Sequence, residues 1–416
     1  MRISTIYKYF KQSNGVITDT RNITNNTIFF ALKGENFNGN KFAEKALKSG
    51  AIYAIIDEPE FDTSDKTILV KDVLKTLQKL ANYHRRELNT KIISLTGSNG
   101  KTTTKELIHV VLSKKFNTTA TAGNLNNHIG VPLTLLSFTE KTEIGIVEMG
   151  ANHLHEIELL TSITEPDFGY ITNFGKAHLE GFGSLEGVIK GKTELFDYLK
   201  ANNRKVFINS KDPIQVKLTT NLDSIYFGDK TNLLKTDPFL VIEYAGLEIH
   251  THLIGKYNFS NLNAAIAIGE YFNVSATDIK LAIESYRPTN NRSQIIEKGK
   301  SKIILDAYNA NPTSMEAALN NFKQISATKK IIILGDMFEL GKTSNQEHQA
   351  ILNLAESLCP NEIHLIGKHF SKTKASKSNL HSTFEAFKKS FHPTSATYLI
   401  KGSRGMALER TLELFD

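Results

Sequence analysis

Residues 91–106 read KIISLTGSNGKTTTKE, and this stretch decides the class of fold. The run IISLT is short and apolar, which is typical of a buried β-strand. Two glycines and a lysine follow it, and then a series of hydroxyl side chains. Glycines let backbone amides approach phosphate oxygens, and the N-terminus of a helix adds a favourable dipole. The stretch therefore predicts a strand, a phosphate-binding loop and a helix that begins near Lys101.

The loop also predicts individual nucleotide contacts. Lys101 would reach the terminal phosphates, and Thr102 would offer its hydroxyl to Mg²⁺. The general pattern GxxxxGK[ST] requires a glycine where this chain has Leu95, so the shorter form TGxNGK[ST] is the one that matches. The predicted nucleotide-binding set is Gly97, Ser98, Asn99, Gly100, Lys101, Thr102 and Thr103. Motors, kinases, GTPases and ligases can all carry such a loop, so the rest of the chain has to distinguish them.

Composition narrows the class of protein. The chain has 416 residues, of which 40% are hydrophobic and 22% charged, as expected for a globular enzyme of two or three domains. Its formal charge of +7 comes from scattered lysines and arginines without an aromatic stripe, so we expect no nucleic-acid partner. No apolar run is long enough to span a membrane or to form a signal peptide. The only cysteine, Cys359, excludes an internal disulfide, and we expect a cytoplasmic protein.

Hydrophobic periodicity divides the chain into three α/β domains. Short strand patterns and a helix at 73–86 predict a small domain over residues 1–90. From residue 91 to 286, strand patterns such as 144–149 and 168–172 alternate with helix patterns, which predicts a parallel sheet covered by helices. A proline and two asparagines near residue 290 interrupt the pattern, and alternation resumes over residues 287–416. We expect a large rotation of this last domain about a hinge at residues 286–291.

A buried-looking strand ends at Glu148, in the stretch VEMGANHLHEI of residues 147–157. Ligands of parallel sheets bind at the carboxyl ends of the strands, so Glu148 is placed to hold Mg²⁺ beside the phosphates. His178 follows the next strand and could contact a second metal ion. Considered alone, Lys192 is typical of a solvated helix lysine.

Several ordered stretches resemble motifs of one family. They are TGSNGKTTTKE (96–106), TAGNLNNHIGVPLTLL (121–136), EGVIKGKTELF (186–196), GKYNFSNLNAAIAIG (255–269), ILDAYNANPTSM (304–315), LGDMFELG (334–341) and LIKGSRGM (399–406). They are similar, in this order, to motifs of the Mur ligase family, which attaches amino acids to the peptidoglycan precursor. The resemblance covers nearly the whole chain. It implies a uridine-nucleotide domain over 1–90, a central P-loop ATPase domain and a C-terminal Rossmann-like domain.

The resemblance assigns roles around ATP. Lys101, Lys192, His178 and Arg292 are the expected catalytic residues, and Arg292 would stabilise charge on the transferred phosphoryl group. Lys192 aligns with the lysine that carries a CO₂-derived carbamate in these ligases, and Lys190 would be an ordinary neighbour. Adenine and ribose contacts are expected from Asn258, Asn261 and Asp306, although Asn258 could equally cap the following helix. The expected metal set for two Mg²⁺ ions is Thr102, Glu148, His178 and Lys192.

The resemblance also indicates the substrates. YNANPTSM is similar to the signature of the branch that adds D-alanyl-D-alanine, and the Asp-Asn-Pro-Arg motif of the diaminopimelate- or lysine-adding branch is absent. The implied substrates are a UDP-N-acetylmuramoyl-tripeptide and D-alanyl-D-alanine, which a monomer would join through an acyl phosphate. The expected substrate contacts are Asp19, Arg21, Gly34, Asn126, Asn127, Tyr308, Asn309, Asn311, Lys401 and Ser403. Asp336 and His348 are further candidates for peptide or carboxylate binding.

Other classes of protein share some of these features. A tripeptide-forming Mur ligase or a folylpolyglutamate synthase would share the loop and Lys192, but YNANPTSM argues against the first and residues 1–90 against the second. Two positions depart from the family pattern: Tyr257 replaces a histidine, and Asn38-Gly39-Asn40 replaces Asp-Gly-His. A non-catalytic nucleotide-binding scaffold would be expected to lack Lys101, Glu148 or Lys192, and all three are present. A motor or GTPase is disfavoured because no switch segment or guanine-reading motif is evident.

Overall fold

The first ninety residues form a small parallel sheet with helices against it. The computed structural model of the chain describes residues 1–289 and 291–415, so the predicted hinge at 286–291 includes one residue outside the described ones and the predicted domain 287–416 includes two. The sheet has four strands in the order β1-β2-β5-β6, and β3 and β4 form a separate hairpin. The elements are α1 (Ile3–Lys11), β1 (Val16–Ile17), β2 (Thr27–Phe30), β3 (Lys33–Gly34), β4 (Phe37–Asn38), α2 (Ala43–Lys48), β5 (Ala51–Ile56), β6 (Thr67–Leu69) and α3 (Val73–Leu88).

The central part of the chain is built on a six-stranded parallel sheet. Its strand order is β12-β11-β10-β7-β9-β8, so β7 lies in the middle of the sheet. The first elements are β7 (Lys91–Thr96), α4 (Lys101–Leu112), β8 (Thr118–Ala120), α5 (Gly130–Leu136), β9 (Ile144–Glu148), α6 (Glu156–Thr164) and β10 (Phe168–Ile171). They are followed by α7 (Leu179–Phe182), α8 (Leu185–Ala201), β11 (Lys205–Asn209), α9 (Pro213–Leu218) and β12 (Asp223–Phe227). The predicted strand and helix start around the phosphate loop are confirmed.

The central part also contains a sheet that the sequence analysis missed. Strands β13 (Thr231–Lys235), β14 (Val241–Tyr244) and β15 (Leu247–His250) form a three-stranded antiparallel sheet. Two helices follow, α10 (Tyr257–Tyr271) and α11 (Ala276–Ser285). Their apolar faces pack with α4 and the strands in one core, which includes Leu107, Tyr170 and Ile266. Strands of four or five residues carry too few periodic positions to stand out in the sequence.

The last part of the chain forms a second six-stranded sheet. Its order is β16-β17-β21-β18-β19-β20, and all neighbours are parallel except β16 and β17. The elements are β16 (Gln294–Lys298), β17 (Ser301–Asp306), α12 (Pro312–Gln324), β18 (Lys330–Gly335), α13 (Ser344–Ser357), β19 (Glu362–Ile366), β20 (Asn379–His381), α14 (Phe384–Ser390) and β21 (Thr397–Lys401). A run of 3₁₀ helix, Leu408–Phe415, follows. The α/β class that we predicted is confirmed, and apolar residues fill both faces of this sheet.

The sheet topologies bring the functional segments together. In the central sheet β7 and β9 are neighbours with Leu95 opposite Glu148, so the phosphate loop and Glu148 leave the same edge. In the last sheet β17 and β21 are neighbours with Asp306 opposite Lys401.

Among residues 1–289 and 291–415, no helix is long and apolar enough to cross a membrane.

Candidate active site

A cavity of about 530 Å³ lies between the central and the last sheet. Most of the predicted site residues line it, and they come from loops that are distant in sequence. From the predicted set these are Ser98, Asn99, Gly100, Lys101, Thr102, Thr103, Asn126, Asn127, Glu148, His178, Asn258, Asn261, Arg292, Asp306, Tyr308, Asn309, Asn311 and Lys401. Gly97, Lys192 and Ser403 are not part of this lining, Asp19 and Arg21 lie between β1 and β2, and Gly34 is in β3.

The phosphate loop is held in shape by its surroundings. Gly97 has a φ of +139°, and a Cβ there would collide with Thr172 Oγ1, so only glycine fits. Asn173, which the sequence analysis did not identify, accepts a hydrogen bond from Asn99 N through its side-chain oxygen and donates to Asn99 O. Lys101 Nζ donates to Gly97 O at 2.6 Å. The loop is therefore a preformed turn at the start of α4, with its backbone fixed from the neighbouring strand.

Glu148 and Thr102 form the polar centre of the cavity floor. Glu148 is 1% exposed, and its carboxylate accepts hydrogen bonds from Thr102 Oγ1 at 3.0 Å and from Asn126 Nδ2 at 2.8 Å. A carboxylate and a hydroxyl are hard oxygen ligands of the kind that Mg²⁺ prefers. The Asn126 side chain orients this carboxylate, whereas Asn127 Oδ1 accepts from backbone amides at the start of α5.

The other two predicted metal ligands do not join this pair. The His178 ring contacts the carboxylate of Glu339, and Lys192 Nζ donates to Ala151 O at 2.9 Å. In the described part of the chain, no three His, Cys, Asp or Glu side chains converge in a way that could hold a metal ion. Mg²⁺ commonly uses one or two carboxylates together with substrate phosphates, so Thr102 and Glu148 still fit that ion.

Lys192 is buried rather than solvated. It is 1% exposed and lies over the Phe182 ring, with Nζ 5.2 Å from the ring centre. Burial and the charge of Lys101 hold the pKa of Lys192 well below its usual range. Burial also lowers the pKa of Lys101, with a further decrease from Arg292 that Glu148 opposes. Two lysines thus lie near the phosphate loop in surroundings that disfavour their charge.

Asn258 and Asn261, the two residues expected to contact adenine, are linked by hydrogen bonds to α4, the helix that follows the phosphate loop. Asn261 Nδ2 donates to Asn258 Oδ1, and Asn261 Oδ1 accepts from Thr104 Oγ1 of α4. The alternative that Asn258 caps this helix is wrong, because α10 begins at Tyr257 and the Asn258 side chain donates back to Ile254 O inside the first turn. Tyr257, which replaces the family's histidine, forms a hydrogen bond with Ser293 through its hydroxyl at 2.6 Å.

The last sheet contributes cations and amides to the cavity. The guanidinium carbon of Arg292 lies 3.6 Å from the centre of the Tyr308 ring, and its buried Nε has no hydrogen-bond partner among the described residues. Asp306 accepts from Lys401 Nζ at 2.6 Å and from Ser293 N at 3.0 Å. Asn311 caps α12 and donates to Asn99 Oδ1 of the phosphate loop at 2.8 Å. Asn311 therefore links the two sheets.

The remaining candidates have structural partners. Asp336 accepts backbone hydrogen bonds from His369 and Phe370, and His348 accepts one from Met337. Asp19 is exposed and paired with Arg21, which lowers the pKa of Asp19 to about 2. In the first sheet's loop, a Cβ at Gly39 would collide with Leu32 O.

Comparisons with known proteins agree with the resemblance. Family models described as "Mur ligase family, catalytic domain", "Mur ligase middle domain" and "Mur ligase, glutamate ligase domain" match residues 12–85, 95–269 and 291–412. The UDP-N-acetylmuramoyl-tripeptide–D-alanyl-D-alanine ligase of Bacillus subtilis (strain 168) is 34% identical over 96% of this chain and 92% of its own length.

Two solved structures share the architecture over nearly their whole length. MurF from Acinetobacter baumannii has a TM-score of 0.85 at 29% identity and covers 98% of both chains. MurF ligase from Thermotoga maritima in complex with ADP has a TM-score of 0.86 at 25% identity, covering 98% of this chain and 97% of that one. The likeness thus extends over nearly the whole chain.

Proposed function

Because the chain belongs to the Mur ligase family, we propose that it joins D-alanyl-D-alanine to a UDP-N-acetylmuramoyl-tripeptide in an ATP-dependent reaction that forms an amide bond. The observation that carries the proposal is the convergence of Lys101 and Glu148 with Arg292 and Tyr308 in one cavity. Whole-length identity of 34% to an enzyme of that name favours this acceptor over the alternatives of a tripeptide-forming ligase or a folylpolyglutamate synthase.

The reaction brings anions together, and the cavity supplies opposing charge. The tripeptide carboxylate attacks the γ-phosphorus of ATP, and the bond from that phosphorus to the bridging oxygen of ADP breaks. The amine of D-alanyl-D-alanine then attacks the acyl phosphate, and phosphate leaves as the amide forms. Lys101 and Arg292 stabilise the charge of the transferred group, since both side chains lie at the cavity. Docking of the last domain against the loop excludes water, which would otherwise hydrolyse the acyl phosphate.

Thr102 and Glu148 are the residues that would hold Mg²⁺. Their oxygens lie 3.0 Å apart, and Asn126 keeps the carboxylate turned toward the hydroxyl. When bound, Mg²⁺ neutralises phosphate charge during phosphoryl transfer. A second ion, with His178 and Lys192 near it, is a proposal that rests on the family resemblance.

Lys192 is suited to carbamate formation. An amine must be neutral to add to CO₂, because its lone pair forms the new N–C bond and one N–H proton then leaves. Burial and Lys101 favour the neutral form of Lys192 by lowering its pKa. The product carries oxygen atoms and a negative charge in place of a cation, which suits a site beside Mg²⁺.

We further propose one substrate for each domain. Residues 1–90 would bind the uridine nucleotide with Asp19, Arg21 and Gly34, residues 91–286 would bind ATP, and residues 287–416 would bind the acceptor dipeptide. A cytoplasmic location is proposed because ATP is available there. The expectation of a monomer stays a prediction.

The decisive experiment measures phosphate release from ATP with UDP-N-acetylmuramoyl-tripeptide, with and without D-alanyl-D-alanine. We expect release to require both, and to fall by on the order of a hundredfold or more in Lys192→Ala, as when a group that stabilises transition-state charge is removed. Lys190→Ala, on an exposed position two residues away, is the matched control and should behave as wild type. If phosphate release does not depend on D-alanyl-D-alanine, the dipeptide is not the acceptor. Single amino acids and glutamate would then be screened as acceptors.

A further inference from the structure

The two motifs LGDMFELG (334–341) and LIKGSRGM (399–406) contain buried residues that hold the loops together. Asp336, Lys401 and Ser403 are each about 2% exposed. Asp336 accepts from backbone amides of 369 and 370, and Lys401 is paired with Asp306 at 2.6 Å. Ser403 Oγ accepts from Phe338 N at 2.9 Å. These side chains are engaged with the protein itself, so the contacts with a ligand should come from other residues of the same loops.

The side chains that these loops expose are those of Phe338, Glu339 and Arg404, and the Glu339 carboxylate is paired with His178. Phe338 is 39% exposed, and the Arg404 side chain is 63% exposed. A Cβ at Gly405 would lie 2.8 Å from the Phe338 ring, so the ring packs closely over that backbone. Arg404 N donates to the side-chain oxygen of Asn309, which lines the cavity. An aromatic ring and a cation are thus fixed side by side next to the site.

Arg404 and Arg292 both lie against the ring of Tyr308. The guanidinium carbon of Arg404 lies 5.3 Å from the centre of the Tyr308 ring, and that of Arg292 lies 3.6 Å from the same centre. Arg292 is close enough to Lys101 to lower its pKa. An extended dipeptide spans about 7 Å. That length is comparable to the separation of the Arg292 and Arg404 guanidinium groups, which share the Tyr308 ring. A dipeptide whose amine is at the acyl phosphate would therefore place its carboxylate near Arg404.

We propose that Arg404 binds the C-terminal carboxylate of the acceptor dipeptide and that Phe338 contacts its methyl groups, an assignment that rests on the proposed function. Lys101 and Arg292 face the phosphates, and Lys401 is neutralised by Asp306. The Arg404 guanidinium forms an ion pair with Glu409 at 3.9 Å but no hydrogen bond, so its N–H groups can still donate to a ligand carboxylate. Stacking on Tyr308 orients the guanidinium.

The test compares D-alanyl-D-alanine with its C-terminal carboxamide, which lacks the negative charge. Arg404→Ala should raise the KM for the dipeptide on the order of ten- to a hundredfold, because a charge-assisted hydrogen bond is lost. The KM for the carboxamide should change little, so the preference of the wild type for the carboxylate disappears. KM values for ATP and the UDP-linked substrate should stay within about twofold, since binding of these ligands is independent of the contact.

Arg410→Ala is the matched control. Arg410 also stacks on an aromatic ring, Phe384 at 3.8 Å, and also lies 3.9 Å from a carboxylate, Glu385, but Phe384 does not line the cavity, whereas Tyr308 beside Arg404 does. Arg410→Ala should retain the wild-type preference for the dipeptide carboxylate over its carboxamide. Equal losses for carboxylate and carboxamide in Arg404→Ala, or no loss for either, would overturn the assignment while leaving the ligase function intact. If phosphate release by the wild type does not depend on the dipeptide, both the Arg404 assignment and the proposed ligase function are overturned.

Discussion

At the scale of single residues, Lys192 shows how strongly surroundings change a side chain. Its position on α8 follows an exposed lysine at 190, and the local sequence does not distinguish the two. In the fold, Lys192 is 1% exposed and close enough to Lys101 for the two charges to repel. Burying this amine costs stability, because burial and the charge of Lys101 lower the pKa of Lys192 and so disfavour its protonated form. That cost is a sign of function rather than of packing.

We predict that Lys192→Met stabilises the protein in CO₂-depleted buffer. The pKa of Lys192 is lower in the folded than in the unfolded chain, so between the two values the unfolded chain binds the additional proton. The wild-type unfolding free energy therefore rises with pH in this window. The advantage of the methionine variant should grow by about 1.4 kcal/mol for each unit that pH falls below about 10.

Urea unfolding at pH 7, 8 and 9 measures this difference. Lys190→Met is the control, and its difference from wild type should not depend on pH in that range because the side chain is exposed. Parallel pH profiles for Lys192→Met and wild type would show that Lys192 keeps its proton in the fold.

A second prediction concerns Glu148. Glu148→Gln keeps the size of the side chain but removes the negative charge beside Thr102, so Mg²⁺ binding should weaken. We expect kcat to fall on the order of a hundredfold, with partial recovery at high Mg²⁺ concentration. Glu143→Gln, an exposed change at the residue that precedes the same strand, should leave kcat unchanged. Phosphate release titrated with Mg²⁺ checks this, and a normal Mg²⁺ dependence in Glu148→Gln would exclude Glu148 as a ligand.

At the scale of elements, the strand–loop–helix unit of residues 91–112 was predictable. Its strand is a continuous apolar run and its loop carries glycines at fixed places, so local pattern was enough. The sequence did not reveal that Asn173 braces the loop from the neighbouring strand end. The antiparallel sheet β13–β15 was missed for a related reason, since its strands are short and are stabilised by packing on α10 and α11.

We predict that Gly97→Ala disables the loop without unfolding the domain. A Cβ would collide with Thr172 Oγ1, and a φ of +139° is unfavourable for alanine, so the loop must move away from β10. A displacement of about 1 Å can cost on the order of a hundredfold in rate, and we expect that loss in ATP-dependent phosphate release.

Gly246→Ala provides the control for this substitution. Gly246 has a φ of +73° in a hairpin turn with open space around it, so alanine there adds backbone strain but no collision. Its activity should remain near wild type, with a small loss of stability of about 1 kcal/mol. Circular dichroism melts of both variants separate stability from activity. If Gly97→Ala keeps full activity, the close packing against Thr172 is not required.

At the scale of the whole molecule, several polar contacts dock the last domain on the central one, and three of them join side chains that are far apart in the sequence. Asn311 bonds to Asn99, Lys176 pairs with Glu347 at 2.7 Å, and His178 contacts Glu339. Each pair joins residues more than 150 positions apart in the chain. The contact from Asn311 reaches the phosphate loop itself, so domain docking and nucleotide binding should be coupled.

We predict that Asn311→Asp weakens the docking of the last domain on the central one without reducing the stability of the fold. Aspartate caps a helix as well as asparagine does, so α12 and the stability of the domain should be retained. The new carboxylate would face Asn99 Oδ1 in place of an amide donor, which replaces the 2.8 Å hydrogen bond by a repulsive contact and leaves only the 3.5 Å contact from Asn99 Nδ2. We expect kcat/KM for ATP to fall by about tenfold, since one hydrogen bond is replaced by a repulsive contact.

The control for this prediction is Thr383→Ala, which removes the cap of α14 far from the cavity. It should lose about 1 kcal/mol of stability and keep its kcat/KM, the reverse of Asn311→Asp. A double mutant with Asn99→Ala completes the cycle, and additive losses would show that the two amides are not coupled.

The sequence by itself determined the α/β class, the phosphate loop, the order of the motifs and the family. These depend on periodicity and on short spacings within a few residues, which the chain carries wherever it is placed. Only the tertiary structure decided that Lys192 is buried, that Asn126 orients Glu148, and that Asp336 and Ser403 hold loops that expose Phe338 and Arg404. Burial and pairing depend on which distant segments pack together, and no local spacing specifies that.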